Sequence, residues 1–446
     1  MSADYVTYAP ERYSTPELSY PYPVSQMGCD SLQPVRTRVA LGSTTTNGVT
    51  LSRAAGGGSA GASTGGGQVI VFRLGTGKAN TWIDFRNLVF SCKVTSGVTA
   101  GNVIPYIGFA GGFIDQLRIK SNGQDLWQST YYSRSVQAML PYLSTNSLNQ
   151  MKALDFLGVA VADSTTPIRF QHPLLCPLSS FEGLFPAAAL QGEIIIEIQV
   201  VPGAGYVCSS GDNTGVVTLG YTDFELLYDE VALGGEYVNP FNMALREAGA
   251  VSLKCDGFNT ASAPLSANAT TASVTLVSKR AKTLMLWQTL SALANNTLNV
   301  VSRSSNGVSS YNVYVNGSPS FPRFQTVTIP TASQTVADAG DSLSQLLGSF
   351  RDLKDYWRGL RTTLSATEFV GNGQAAGVNY DVGPTYIVDL DTLNNNHRML
   401  NNGIEIRAPV RFECQAGGVT ADANLYLCVW SEVNFVITAD GKIFVE

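Results

Sequence analysis

Charge is scarce in this chain. Asp, Glu, Lys and Arg make up 14% of its 446 residues, against roughly 25% in an ordinary soluble domain. The balance is −6, and no segment is strongly basic. The N-terminal stretch 1–66 sets four acids (Asp4, Glu11, Glu17, Asp30) against four bases (Arg12, Arg36, Arg38, Arg53). Neutralising phosphates takes clustered Lys or Arg, so direct nucleic-acid binding is not expected. Histidine occurs only at His172 and His397. Neither has a second His or Cys at ligand spacing, which argues against a metal centre. The seven cysteines (29, 92, 176, 208, 255, 414, 428) are odd in number and form no CxxC, so no disulfide framework is expected. Cys92, Cys414 and Cys428 fall in strand-like runs and read as small buried hydrophobes.

Other signals are missing as well. No apolar run reaches the roughly 18 residues that span a bilayer. Met1-Ser-Ala-Asp-Tyr lacks the charged-then-apolar plan of a signal peptide, so a cytosolic product is expected. No GxSxG, HExxH or P-loop signature occurs. The acids are scattered and mostly flank strands, so no enzyme, catalytic residue or cofactor is expected. Asn268-Ala-Thr, Asn295-Asn-Thr and Asn316-Gly-Ser match the glycosylation pattern, which is common by chance.

What the chain does have is a long-range repeat. Phe224-Glu-Leu-Leu-Tyr-Asp-Glu-Val and Tyr426-Leu-Cys-Val-Trp-Ser-Glu-Val match 202 positions apart. Phe224 answers Tyr426, Leu226 answers Cys428, Tyr228 answers Trp430 and Glu230 answers Glu432, the acids reading as a structural feature of the repeated strand. Upstream, Val69–Leu74 is answered by Ala272–Val277, Thr81–Val94 by Lys282–Leu290, and Glu193–Val201 by Ile404–Gln415. A repeat of this length points to tandem duplication of one β-domain. Each half also carries helical stretches, at Ser129–Leu143 and Ser147–Leu157, and at Ser342–Gly359. Tyr131, Val136, Met139, Leu140 and Leu143 make one apolar face. Leu343, Leu346, Leu347, Phe350, Leu353 and Trp357 make another. Such faces are expected to pack on their own barrels.

Turn chemistry supports antiparallel sheets. Asn122-Gly, Asn306-Gly, Asn316-Gly and Asp440-Gly favour the primed turns of hairpins, and Ile119-Lys-Ser-Asn-Gly-Gln-Asp-Leu reads as one. Pro202–Gly215 and Leu293–Pro322 read as long loops, a length usually tied to function or contacts. Residues 55–67 hold seven glycines in thirteen positions, a flexible linker or mobile loop. A phosphate cradle would put a helix after the glycines, and here a strand follows. Residues 1–45 are rich in Tyr, Pro and Ser and cannot build a core. They read either as a plain tail or as an extended arm that orders against a neighbour, with Tyr5, Tyr8, Tyr13, Tyr20 and Tyr22 as candidate assembly contacts. Gly234–Ala250 links the halves and has room for one short helix.

The stretches Gly112–Leu126, Tyr221–Val231 and Leu425–Ile443, with the order strands, helical insert, strands in each half, resemble double jelly-roll major capsid proteins. That lineage includes the adenovirus hexon and the capsid proteins of tectiviruses, large eukaryotic DNA viruses and polinton-like viruses, the last being the most similar. The resemblance implies an all-β chain of two tandem eight-stranded antiparallel jelly rolls, with short helical inserts and an extended N-terminal arm. The expected division is 1–66 arm and Gly-rich linker, 67–235 first roll, 236–250 connection, and 251–446 second roll. It further implies a homotrimeric, pseudo-hexagonal capsomer tiling an icosahedral virion shell. Its partners would be neighbouring capsomers and minor capsid, penton or cement proteins, with assembly in the host cytoplasm or nucleus and an internal membrane left open. Low charge suits broad subunit contacts, since interface cores are depleted in charge. Three alternatives stand beside this reading. A minor capsid or penton-type protein would be better served by one roll. A secreted carbohydrate-binding β-sandwich calls for a signal peptide and aromatic platforms. A hydrolase on a jelly-roll scaffold calls for metal or carboxylate chemistry.

Overall fold

The computed structural model describes residues 32–42, 48–53, 63–74, 80–98, 102–139, 153–155, 161, 164–181, 183–210, 216–291, 306–326, 385–390, 403–415 and 419–445. The first half contains β1 (Leu32–Leu41), β2 (Val49–Arg53), β3 (Val69–Leu74), β4 (Thr81–Val98), β5 (Val103–Pro105), β6 (Ile114–Ser121), β7 (Gln124–Ser129), β8 (Ser164–Pro173), β9 (Ile194–Val200), β10 (Cys208–Ser210) and β11 (Val217–Leu233). One sheet runs β1-β11-β4-β8, with β2 extending β1 along the same edge of β11; the facing sheet runs β3-β9-β6-β7. All pairs are antiparallel. Numbering the eight successive strands, with β1 and β2 as the first, gives the interleaved orders 1-8-3-6 and 2-7-4-5, which define a jelly roll.

The second half repeats this plan with β12 (Ala250–Leu265), β13 (Thr271–Val274), β14 (Ser278–Leu290), β15 (Ser310–Val315), β16 (Ser318–Pro319), β17 (Gln325–Thr326), β18 (Tyr386–Asp389), β19 (Ile404–Ile406), β20 (Val410–Cys414), β21 (Ala423–Thr438) and β22 (Ile443–Val445). Its sheets run β12-β21-β14-β18 and β13-β20-β15-β16, with β19, β22 and β17 pairing β14, β21 and β15. The chain is a double jelly roll.

Each core lies between its two sheets and is rich in aromatic rings. Inside the first roll Phe90 stacks on Phe113 (5.9 Å between centroids) and Phe224 (6.3 Å), with Phe72 edge-on at 6.1 Å. Inside the second, Tyr386 lies 4.6 Å from Tyr311 and 5.0 Å from Phe412. The hairpin between β6 and β7 turns on Asn122 (φ +50°) and Gly123 (φ +75°), the positive pair that a primed two-residue turn requires.

Three expectations need correction. Leu32–Leu41 and Val49–Arg53 are not part of an arm. They pair with β11 over Leu233–Glu225 and Tyr221–Val217, because only an edge strand there can satisfy that side of β11. The 202-residue repeat finds the right two strands in the wrong register. Phe224 stacks inside its own roll, whereas Tyr426 stacks on Trp287 and meets Tyr131 of the other roll. A one-residue slip swaps the faces of a strand. The first helical stretch forms a helix over Tyr132–Met139, with Val136 and Met139 buried. Tyr131 and Arg134, however, face the second roll rather than their own. Of Ser147–Leu157 only 153–155 are described, and Ser342–Gly359 lies outside the described residues, as do Leu140 and Leu143.

The rolls stand side by side with the same polarity. A helix over Gly235–Ala248, ended by Gly249 at φ +74°, joins the end of β11 to the start of β12. Its Phe241 packs edge-on against Trp82 at 4.8 Å. At this junction end the Gln191 N–H donates to the Gly441 carbonyl across the two rolls (3.0 Å). The segments that connect β4 to β6, β7 to β8 and β9 to β11 all emerge at the opposite, loop end.

Candidate functional site

The most developed feature is the contact between the rolls. A β-sheet usually buries one face, yet β21 is buried on both along most of its length. Leu425, Leu427 and Val429 point into the second roll, while Tyr426, Cys428 and Trp430 point toward the first. Trp287 stacks on Tyr426 (5.4 Å, 11°), and Phe258 lies 5.2 Å from Trp430. Against them the first roll sets Trp127 of β7, 6.1 Å from Phe258, and Tyr132 of the following helix, at 5.8 Å.

Polar groups fix the register. Arg134 is buried, with its guanidinium carbon 5.2 Å from the ring centroids of Tyr131 and Tyr426 and 5.1 Å from that of Tyr206. It donates to the Tyr426 hydroxyl. Thr130 donates to the Thr260 carbonyl, and the Ser135 and Thr260 hydroxyls are 2.7 Å apart. Nearer the junction end, the Asp256 N–H donates to Ser180 Oγ at 2.7 Å. Gly257 allows the close approach there: a Cβ would lie 2.7 Å from Pro177 Cγ and 2.9 Å from Trp127 Nε1. Burying one large ring is worth about 2–3 kcal/mol, so several such rings hold the rolls as one unit.

The corresponding sheet of the first roll has a different outer face. Lys93 pairs with Asp223 at 2.5 Å, Arg169 pairs with Glu225, and Asn87 Nδ2 donates to Asp229 Oδ2 at 2.9 Å. These side chains are exposed or half-buried. Thr218, Thr222 and Arg86 beside them are exposed. One roll thus has its outer sheet covered by aromatic contacts, and the other presents a charged and polar sheet to solvent.

Two buried polar groups were not evident from motifs. Asp155 is fully buried at the loop end of the first roll and accepts the Ala110 N–H (2.7 Å) and the Gly111 N–H (2.8 Å), with His172 Nδ1 at 3.4 Å. Burial pushes its carboxyl above the usual range, an effect the histidine and the two amides oppose. His172 is thus a buried partner of a carboxylate, and His397 lies outside the described residues. In the second roll Glu432 is buried between Lys254 Nζ (2.9 Å) and Arg280 (3.1 Å), while Lys282 holds Asp256 at 2.7 Å.

The thiols among the described residues are shielded from chemistry. Cys92, Cys176, Cys208, Cys255, Cys414 and Cys428 are free and buried. Burial raises the Cys176 thiol to about 11 and the Cys208 and Cys428 thiols to about 12. Among the described residues no three His, Cys, Asp or Glu side chains group as metal ligands. Tyr5, Tyr8, Tyr13, Tyr20 and Tyr22 lie outside the described residues.

The fold places the chain in a class, the double jelly rolls. No family model matches its sequence, and no curated protein does. Among solved structures, a quasi-atomic model of the PBCV-1 virus capsid is similar at TM-score 0.55 and 10% identity, covering 92% of this chain and 96% of that one. The Faustovirus major capsid protein is similar at TM-score 0.53 and 8% identity, covering 99% and 98%. A cryo-EM structure of the Sputnik virophage is similar at TM-score 0.54 and 10% identity, covering 93% and 88%. At these identities the likeness is one of fold.

Proposed function

We propose that this chain is a viral major capsid protein, a structural and non-enzymatic component that forms pseudo-hexagonal homotrimers tiling an icosahedral shell. The reading draws on the fold it shares with proteins described as capsid components. The observation that carries it is the contact between the rolls. The β7 side of the first roll covers the outer face of the β12-β21-β14-β18 sheet. The topologically equivalent surfaces are left over for other chains: the outer face of β4, β8 and β11, charged where its counterpart is aromatic, and the side of the second roll that corresponds to β7. Repeating one lateral contact within and between chains closes a ring, and three chains supply six rolls. Closed rings of like contacts are the common route to symmetric oligomers.

The equal polarity of the rolls gives such a capsomer two unlike ends. The loop end would face outward. The junction end, where the chain enters at Leu32, would face inward, so that residues 1–31 and their tyrosines reach neighbouring capsomers. The domain division in this reading runs from Leu32 to Leu233 for the first roll and from Ala250 to the C-terminal strands for the second. Minor capsid, penton or cement proteins would complete the shell, assembled in the host cytoplasm or nucleus. With charges balanced over positions 1–66, contact with the genome would be indirect.

Light scattering on the purified chain, with negative-stain images of the same sample, tests the proposal. A species of three times the 47.5 kDa chain mass, seen as flat hexagonal particles or closed shells, is the expected result. A monodisperse 47.5 kDa monomer at high concentration would overturn it.

A further inference from the structure

The ion cluster in the second roll contains a group that ion pairing leaves unexplained. Lys254 on β12 is the direct register partner of Asn434 on β21. Glu432 precedes Asn434 by two positions and so shares its face of the strand. Glu432 is 5% exposed and Asn434 3%. Lys254 Nζ lies 2.9 Å from Glu432 Oε2, while Arg280 holds the other carboxylate oxygen at 3.1 Å. Ion pairing accounts for the burial of these three charges, although Glu432 Oε2, like the Asn434 amide oxygen, makes no aligned hydrogen bond. It does not account for Asn434, whose amide oxygen is buried without a hydrogen-bond partner. Native proteins leave few such atoms, because each carries its full desolvation cost.

An amine, a carboxylate at hydrogen-bond distance from it, and a buried side-chain amide on the paired strand are the components of an amide exchange. Directly opposed Cβ atoms in an antiparallel pair are about 4.5–5.5 Å apart, well within the reach of a lysine. We propose that Lys254 and Asn434 join in an intramolecular isopeptide bond, with Glu432 as the proton carrier. Glu432 takes one proton from the Lys254 ammonium. The free amine adds to Asn434 Cγ. The carboxylic acid returns that proton to Nδ2, which leaves as ammonia, and the carboxylate then takes the proton remaining on the new amide nitrogen. That proton ends on the released ammonia as ammonium. One C–N bond forms, one breaks, and no oxidant or reductant is needed. Arg280 acts as a positioning residue, holding one carboxylate oxygen so that the other faces Lys254.

The bond would join the first and last long strands of the second roll and close a loop over nearly the whole of that roll, from position 254 to position 434. Cross-links over long loops remove the most freedom from the unfolded chain. A shell protein would gain resistance to unfolding after its sheet has formed.

The test is the intact mass of the folded, full-length chain, fresh and after alkaline incubation, followed by tryptic mapping. The expected result is a mass below that of the sequence by one ammonia, and a branched peptide joining the Lys254 and Asn434 segments. Lys254→Arg keeps a cation beside Glu432 but has no primary amine, so it should show the full mass with an unchanged circular dichroism spectrum. Glu432→Gln should also show the full mass. A folded wild-type chain that keeps its full mass after incubation overturns the proposal. Loss of ammonia that persists in Lys254→Arg does so equally. The readout is the same for monomer and trimer, so it stands or falls apart from the capsid reading.

Discussion

Arg134, in the first roll, donates to the phenolic oxygen of Tyr426, in the second, and sits among three tyrosine rings, Tyr131, Tyr206 and Tyr426. It is a buried cation held by ring faces and a hydroxyl at the loop end of the contact between rolls. Desolvated cation–π contacts are worth about 2 kcal/mol, and a buried hydrogen bond to a charged group about 1.5–3 kcal/mol. Arg134→Ala should therefore destabilise the chain by about 3–5 kcal/mol, read as a lower denaturant midpoint. Tyr426→Phe removes only the hydroxyl and should cost about 1–3 kcal/mol. A loss of a few tenths in both would show that the rings alone hold the rolls together.

Gly257 makes the second testable point of that contact. Its Cβ position falls between Pro177, Trp127 and Val433, so a methyl group there has to push the rolls apart or move backbone. Overpacking of this kind costs about 1–3 kcal/mol. Gly257→Ala should lower the melting temperature and, because the rolls would be re-angled, should reduce the yield of the proposed trimer more than the yield of folded chain. Light scattering beside circular dichroism separates the two effects.

Much of this architecture is written in local sequence. Strands β3, β4, β9 and β11 follow from apolar runs bounded by turn residues, and Asn122-Gly123 dictates its hairpin. The inter-roll contact is not legible in the same way. Trp430, Tyr426 and Phe258 look like core residues, and alternation does not tell which sheet face meets the core and which meets a second roll. β1 and β2 were hidden for another reason: an edge strand such as Leu32–Leu41, with Pro34 and two arginines, lacks the two-faced alternation of an inner strand. Asp155 gave no signal, because its partners are the amides of Ala110 and Gly111 and the imidazole of His172, distant in sequence, and no motif encodes that convergence.

Asp155 has a pH signature. Burial raises its folded-state affinity for a proton above that of the unfolded chain, so its contribution to stability is greatest in acid and is lost as pH rises through the raised folded value. Asp440 runs the other way. Its bonds from Lys442 and Thr438 hold it at about 2, so its contribution is present above the ordinary value of 3.8 and is lost as pH falls. Whole-protein titrations mix the two, and the informative quantity is the difference between wild type and Asp155→Asn. That difference should favour wild type least at neutral pH and shift toward it as pH falls toward 3.8. Chemical denaturation at a series of pH values measures it, and a pH-independent difference would mean that the carboxyl titrates normally.

The outer face of the first roll separates folding from assembly. Lys93, Arg169, Asp223 and Glu225 pair on it while exposed or half-buried, and ion pairs in such places contribute about 0–1 kcal/mol each. Lys93→Glu with Arg169→Glu should thus leave the melting temperature of the isolated chain within a few degrees of wild type. The same change would set four acidic side chains, 93, 169, 223 and 225, on the surface expected to receive the next chain's second roll. Like charges confined at an interface cost several kcal/mol. If the proposed trimer forms, the double variant should fail to assemble at protein concentrations where wild type does, and should recover in part at high salt, which screens exposed charge. A double variant that trimerises like wild type at low salt would place the contact between chains on some other face of the molecule.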